Sequence, residues 1–372
     1  MIQKNKFIKW LGIFTFIPLL SGCFSSAEES DNTTTCIKTD QDSVVVKKLA
    51  SGVAVTKSNG LYYYEGDIVL TEEQLNNLSI YGELYKPGTQ ATKATDLVPT
   101  TNLPKDASTL SRSLGVYPTG YNLWAMARFT YDTNLSQTQR SIIKRALLNI
   151  QAKTNVRFYN ATGLPTHDNT YNFDYPYINF RYSGPQDTSS SQVGRIGGKQ
   201  DINLADFSFW QDGVIEHEIC HALGLLHEQC RSDRDNYVIV NTSNLTDLGK
   251  ANFQKRTNNY SIRGAYDFNS IMGYSSYTSS TSVVFDTSKP MYTKKDGSEV
   301  YQGRDLSDGD RAWLNYYYIP YIARTDTYAE LDSVVYDGNN KSLTKDQIQQ
   351  IQSQLNNGNP TPPTGGREIN NF

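Results

Sequence analysis

The sequence has little of what marks several large protein classes. Its 35 Lys and Arg are outnumbered by 38 Asp and Glu, for a net charge of -3, so no basic field is available to attract nucleic acid. The N-terminal apolar run, Trp10 to Leu20, is too short to span a bilayer as a mature helix. No internal repeat is visible along the chain. Cysteines number four and histidines four, few enough that each can be accounted for singly.

What is present begins at the N-terminus. Lys4, Lys6 and Lys9 precede the apolar run, the pattern of a signal peptide. The run ends in Leu20-Ser21-Gly22-Cys23, which resembles the lipobox of bacterial lipoproteins, with Cys23 as the lipidated residue; a plain secretory signal is the alternative. Lipidation of Cys23 leaves Cys36, Cys220 and Cys230, an odd count for an exported chain. Loss of an N-terminal segment carrying Cys36 leaves Cys220 and Cys230 as a candidate disulfide closing a short loop.

The 372 residues suffice for one large domain or two small ones with a proper core. Residues 24–43 are rich in Ser, Thr, Asp and Glu and read as a tether. Thr71 with Gln74 has the form of a capping box opening a short helix. Residues 86–120 carry Pro, Gly, Thr and Ser without periodicity and read as a linker or processing region. Beyond them Phe129 to Tyr131, Val156 to Phe158 and Tyr177 to Tyr182 read as strands. Ser136 with Gln139 caps a strong helix whose Ile142, Ile143, Ala146, Leu147 and Ile150 share one face. From Asn203 the chain leads into a second long helix; Ser307 caps a last one. Ile348, Ile351 and Leu355 suit an amphipathic helix, and the terminal NNGNPTPPTGG reads as disordered.

Three of the four histidines, His217, His221 and His227, fall within the run HEICHALGLLH. On a helix, His217 and His221 lie one turn apart on the same face and can reach one ion. Glu218 is one residue round, unsuited to ligation but placed to grip a water. Gly224 can take a left-handed conformation and end the helix, letting the chain reverse and bring His227 from another side. Three imidazoles with an open position match a catalytic rather than a structural zinc site. HExxH alone arises by chance in roughly one chain in a hundred of this length, and the added Gly224 and His227 make coincidence far rarer.

The run HEICHALGLLHEQCRSDRDNY is similar to HExxHxxGxxHExxRxDRDxY of the astacin family, within the metzincins. Ser270-Ile271-Met272-Gly273-Tyr274 resembles the family's Met-turn, with Gly273 in place of histidine. SQVGRIGGKQDINL resembles the edge strand before the zinc helix, and LSDGDRAWLNYYY the last helix of the catalytic domain. The resemblance covers about residues 117–318. It implies an α+β metzincin fold: a mixed twisted sheet with two long helices in an N-terminal subdomain, a loop-rich C-terminal subdomain and a cleft between them. The activity implied is zinc-dependent endopeptidase, with one Zn2+ per chain and Glu218 as general base and acid. Tyr274 is implied as a fifth ligand that swings to hold the oxyanion, and Met272 as the apolar floor beneath the imidazoles. Glu228 is implied as the partner of the new N-terminal ammonium after activation. Extended substrate is implied along Gln192, Val193, Gly194 and Arg195. The cysteine pairs that usually staple the family's catalytic domain are missing.

Pro-segments of this family carry an aspartate that binds the zinc in place of water. Tyr64-Glu65-Gly66-Asp67-Ile68 resembles that motif, which makes Asp67 the expected zymogen switch; Cys36, as a thiolate cap, is the rival. The expected organisation is a lipoprotein signal at 1–22, a tether at 23–43, a pro-segment at 44–112, a catalytic domain at 113–322 and an extension at 323–372. The mature start is expected within about 107–117. The expected product is an exported monomer, lipid-anchored to a bacterial envelope through Cys23 and acting on proteins and peptides, its mature domain released by processing. A catalytically silent surface-binding lipoprotein on the same fold is the competing reading; retention of Glu218 and all three ligands argues against it.

Overall fold

A computed structural model describes residues 35–37, 44–86, 114–116, 123–124, 127–170, 172–185, 188–211, 213–256, 260–262, 264–322 and 334–348. The expected signal peptide with Cys23, most of the expected 107–117 processing region and the tail beyond 348 lie outside these residues.

The main sheet has ten strands. An N-terminal module supplies β1 (Thr35–Ile37), β2 (Val44–Lys48), β3 (Ala54–Ser58), β4 (Leu61–Tyr64) and β5 (Ile68–Val69), each antiparallel to the next. The β3–β4 hairpin turns through Asn59-Gly60, with φ 50° and 78°, the residue pair that a tight two-residue hairpin favours. Helix α1 (Glu72–Tyr81) follows and has the reciprocal Thr71–Gln74 capping box and a left-handed Gly82 at its end. The module has its own core of Val53, Val55, Tyr64, Ile68, Leu70, Leu78 and Leu84, completed by Val193 and Leu226 from the rest of the chain.

A short strand β6 (Leu114–Val116) pairs with β15 (Tyr260–Ile262). The central domain adds β7 (Ala127–Tyr131), β8 (Phe158–Asn160), β11 (Tyr177–Gly184), β12 (Ser190–Ser191) and β13 (Lys199–Ala205) to the main sheet. The order is β1-β2-β3-β4-β5-β12-β13-β11-β7-β8. Within the domain β8, β7, β11 and β13 are parallel, and β12 runs antiparallel along β13. Parallel neighbours need a crossover, supplied between β7 and β8 by α2 (Gln137–Lys153). That helix has the Ser136–Gln139 capping box and buries Ile143, Ala146, Leu147 and Ile150, each of the larger side chains contributing about 1.5–3 kcal/mol by leaving water. A hairpin of β9 (His167–Asp168) and β10 (Phe173–Asp174) projects from the β8–β11 connection.

The second helix of the domain, α3 (Val214–Ala222), is nine residues long, shorter than the sequence suggests. The chain from Asn203 continues β13 and then makes a 3-10 turn at Asp206–Phe209. Gly213 starts the helix at φ 89°, where a Cβ would meet the Arg304 backbone at 2.9 Å. Gly224, at φ 108°, follows its end as expected. The loop-rich part beyond it holds β14 (Val238–Val240), paired with β16 (Tyr292–Lys294), and α4 (Asp247–Asn252). These pack around Val238, Leu245, Phe253, Tyr266, Val284 and Tyr292.

The last helix, α5 (Asp308–Ile322), is capped reciprocally: the Asp310 amide donates to Ser307 Oγ at 3.0 Å, and the Ser307 amide to Asp310 Oδ2 at 3.0 Å. Its Trp313 and Leu314 enter the main core with α2, α3 and the sheet. Residues 334–344 strap back across this joint. The Val334 carbonyl accepts from Arg157 and the Tyr336 carbonyl from Asn155, while Asn340 reaches the Asp308 carbonyl. Helical residues begin again at 345 and reach the limit of the described residues at 348; Ile351 and Leu355 lie outside them. Among the described residues no helix is long and apolar enough to cross a membrane.

Candidate metal centre

Helix α3 brings His217 and His221 to one face, and the turn opened by Gly224 returns His227 opposite them. Each imidazole is buried, at 3%, 0% and 0% exposure, and each Nδ1 has an acceptor. His217 Nδ1 meets the Ile271 carbonyl at 2.8 Å, His221 Nδ1 the Leu225 carbonyl at 2.9 Å and His227 Nδ1 the Glu65 carboxylate at 3.3 Å. Those acceptors assign the proton to Nδ1 and turn the Nε2 lone pairs inward.

The fourth member of the cluster comes from the N-terminal module. Asp67 Oδ2 lies 3.5 Å from His217 Nε2; Oδ1 lies 3.4 Å from His221 Nε2 and 3.3 Å from His227 Nε2. All five of these buried atoms lack a hydrogen-bond partner, and the group is compact enough to hold an ion. Zinc bonds of about 2.0–2.1 Å place the donors of a tetrahedral site about 3.3 Å apart; the Asp67 carboxylate keeps close to that spacing from each imidazole, and three nitrogens with an oxygen suit zinc as donors. Burial raises the Asp67 carboxyl, but the charge of His227 and the close approach of the three imidazoles outweigh it and hold the carboxyl well below the usual range. Burial takes His221 down to about 4. It also opposes charge on His227, but the Asp67 charge, with the hydrogen bond and charge of Glu65, carries that residue up to about 9.

Glu218 sits beside His217, 2% exposed, with Oε2 unpartnered. Burial, and then the Asp67 charge, push its carboxyl well above the usual range. Tyr274 is also buried against the centre, its ring edge-on to His227 at 4.9 Å. Its hydroxyl donates to the Glu65 carbonyl at 2.7 Å, so the N-terminal module engages it. Gly66 leaves room for this: a Cβ there would stand 2.7 Å from the Tyr274 oxygen.

Met272 is fully buried in the main core, and its carbonyl accepts from the Glu228 amide at 3.2 Å. The turn it lies in is fixed by α5. Asp310 Oδ1 accepts from Ser270 Oγ at 2.7 Å and Oδ2 from the Ile271 amide at 2.9 Å. Because the Ile271 carbonyl in turn orients His217, Asp310 acts on the centre through one intervening residue. Asp310→Asn, which points an NH2 at groups that are themselves donors, is expected to cost about 1–3 kcal/mol of stability and to lower metal occupancy. Urea unfolding and zinc content of the purified variant check this.

Glu228 is fully buried and paired with Arg231 Nη1 at 2.9 Å, and it accepts from the Asp267 amide at 2.8 Å. Burial, against the Arg231 charge and assisted by Asp267 and Asp310, raises its carboxyl to about 8.

Two expectations are corrected. Cys220 and Cys230 do not pair: both are free and buried. Cys220 faces the main core, whereas the Cys230 thiol donates to the Asn252 carbonyl at 3.3 Å, so the two side chains belong to different packing environments. The edge strand is Ser190–Ser191, not Gln192 to Arg195. The Val193 carbonyl is taken by the Tyr85 hydroxyl at 3.0 Å, and the Gly194 carbonyl by Gln200 Nε2 at 3.0 Å. The Gly194 amide donates to the His221 carbonyl at 2.8 Å. The edge at Ser191 is itself covered by β5, in parallel register with Ile68, and the Ser191 amide donates to the Asp67 carbonyl at 3.1 Å.

Cys36 lies in β1, the outermost strand, with three strands between it and β5. The chain brings Asp67 to the histidines instead. Three further residues are unassigned by the sequence: Asp310, Glu65 and Arg256. The Ser307–Asp310 spacing is visible as a cap, but nothing in the sequence connects Glu65 to Arg256.

A profile of the peptidase family Astacin matches residues 118–319. Flavastacin of Elizabethkingia meningoseptica is 31% identical over 342 residues, covering 86% of this chain and 69% of flavastacin. Zinc metalloproteinase nas-14 of Caenorhabditis elegans is 31% identical over 211 residues, 55% of this chain and 39% of that protein. The chain thus spans about two thirds of the bacterial relative and well under half of the nematode one. Among solved structures, high choriolytic enzyme 1, a hatching enzyme zinc-protease from Oryzias latipes, aligns with 27% identity and a TM-score of 0.44, over 52% of this chain and 88% of that one. With the profile covering more than half of its residues and the three-histidine centre in place, the chain belongs to the astacin family of zinc metalloendopeptidases.

Proposed function

We propose that this chain is the latent precursor of its zinc endopeptidase, with residues 44–112 as the pro-segment of a catalytic domain at 113–322. The observation that carries this reading is the Asp67 carboxylate, 3.3–3.5 Å from all three Nε2 atoms. There it would take the place of an attacking water on a bound zinc, and β5 covers the sheet edge beside it.

His217, His221 and His227 would hold the zinc, which when bound lowers the pKa of a water and polarises the scissile carbonyl. Once the pro-segment has left, Glu218 accepts the proton of that water and returns it to the departing amine. Tyr274, released from the Glu65 carbonyl, donates its hydroxyl to the oxyanion. Extended peptide takes the place of β5 along Ser190–Ser191, bonding main chain to main chain. Glu228, buried among Asp267 and Asp310 with Arg231 as its counter-ion, suits an added ammonium from a new N-terminus. We assign the N-terminal signal and Cys23 to export and lipid anchoring in the bacterial envelope, and take the enzyme to be a monomer.

The test is casein cleavage by the full chain before and after limited proteolysis. Cleavage that appears on processing, stops with 1,10-phenanthroline and returns with zinc is the expected result. A processed chain that holds zinc and cleaves nothing overturns the reading.

A further inference from the structure

Glu65 is a non-glycine residue in the left-handed region, at φ 56°, a conformation a long side chain keeps only where its surroundings hold it. Those surroundings are specific. The Glu65 carboxylate is fully buried; Oε1 pairs with Arg256 Nε at 2.9 Å, and Oε2 meets His227 Nδ1 at 3.3 Å. Arg256 is 7% exposed, lies over the Tyr64 ring at 4.8 Å and is tied by its amide to the Cys230 carbonyl at 2.8 Å.

The three imidazoles differ in what holds them. His217 and His221 donate to main-chain carbonyls of Ile271 and Leu225, inside the domain that carries them. His227 alone uses a side chain of the N-terminal module. Outer acceptors of this kind fix the ring's tautomer and angle and raise its strength as a ligand. Separation of the module would withdraw an inner carboxylate, Asp67, and at the same time remove the outer acceptor of His227 and the counter-ion of Arg256.

We propose that Glu65 is a positioning residue for the metal centre of the precursor, orienting His227 while anchored on Arg256, so that the precursor's hold on zinc depends on a side chain that processing removes. This rests on the reading of residues 44–112 as a pro-segment over a zinc site. It adds to that reading a second latch, distinct from Asp67.

The experiment uses the full chain and zinc alone, following release of the ion to a chromogenic chelator for wild type, E65Q, E65A, R256Q, the E65Q/R256Q pair and D67N. Release from E65A is expected to be about 10–100-fold faster than from wild type, the usual effect of losing an outer-shell partner. E65Q, which keeps an oxygen for His227 Nδ1 but not the charge for Arg256, should fall between them. It should do so with unchanged circular dichroism, so the result stands even where E65A fails to fold. The double variant should be no faster than the faster single one, because both changes break the same contact. Wild-type release rates from E65Q and R256Q, with D67N accelerated, overturn the role of Glu65 and leave the Asp67 switch standing. A wild-type chain that takes up no zinc overturns both.

Discussion

Glu218→Gln in the processed enzyme is expected to lower kcat by about 10²–10⁴-fold, the range for losing a positioned general base, or about 3–5 kcal/mol of barrier. The substitution preserves shape. It leaves all three ligands, and the Nδ1 acceptors of His217 and His221 at Ile271 and Leu225, untouched, since neither contact involves Glu218. The lost property is the capacity of a buried, unpartnered Oε2 to take a proton. Zinc content should therefore stay at one per chain while turnover collapses, and KM should change little. Metal analysis beside steady-state kinetics on a quenched fluorescent peptide separates the two. Retained turnover would mean that another group moves the proton.

Asp67→Ala in the unprocessed chain is expected to raise its background peptidase activity by about tenfold or more, since about 1.4 kcal/mol of lost latency already suffices for that factor. Relief should be partial. β5 still pairs with β12, Glu65 still reaches Arg256, and the Tyr274 hydroxyl still finds the Glu65 carbonyl, so peptide must compete with a strand in place. The same variant should melt lower than wild type, because three buried imidazoles lose the carboxylate they face. Activity before and after processing, with a thermal scan of the precursor, checks both parts. Unchanged latency with normal processed activity would assign inhibition to coverage of the edge alone.

The centre is readable because its spacing is local. One turn of helix relates His217 to His221, and a single left-handed glycine returns His227, so sequence offsets translate directly into geometry. Asp67 lies 150 residues from His217, and no offset encodes that contact; only the likeness of YEGDI to a family motif points to it. Glu65, inside the same stretch, goes unassigned because its partner Arg256 is carried by a separate part of the fold. The cysteine pairing fails for a related reason: ten residues of spacing say nothing about which interior each thiol faces. The edge strand is displaced by two residues because Gly194, Gly197 and Gly198 all adopt positive φ, which ends β-pairing where the run of matching residues continues. Helix α3 is overestimated at its start, where Gly213 at φ 89° marks a break that the apolar pattern does not record. Capping boxes, which satisfy donors within four residues, are legible at Thr71 and Ser136.

Val193 and Leu226 are fully buried, yet they pack in the core of the N-terminal module rather than that of the domain that encodes them. Departure of the module therefore turns part of an interior into a surface. On the proposed processing, the working enzyme is what remains after one of the precursor's cores has been opened. It starts with an apolar patch flanking the catalytic histidines, left open by the protein's own missing piece and available to the side chains of an incoming chain.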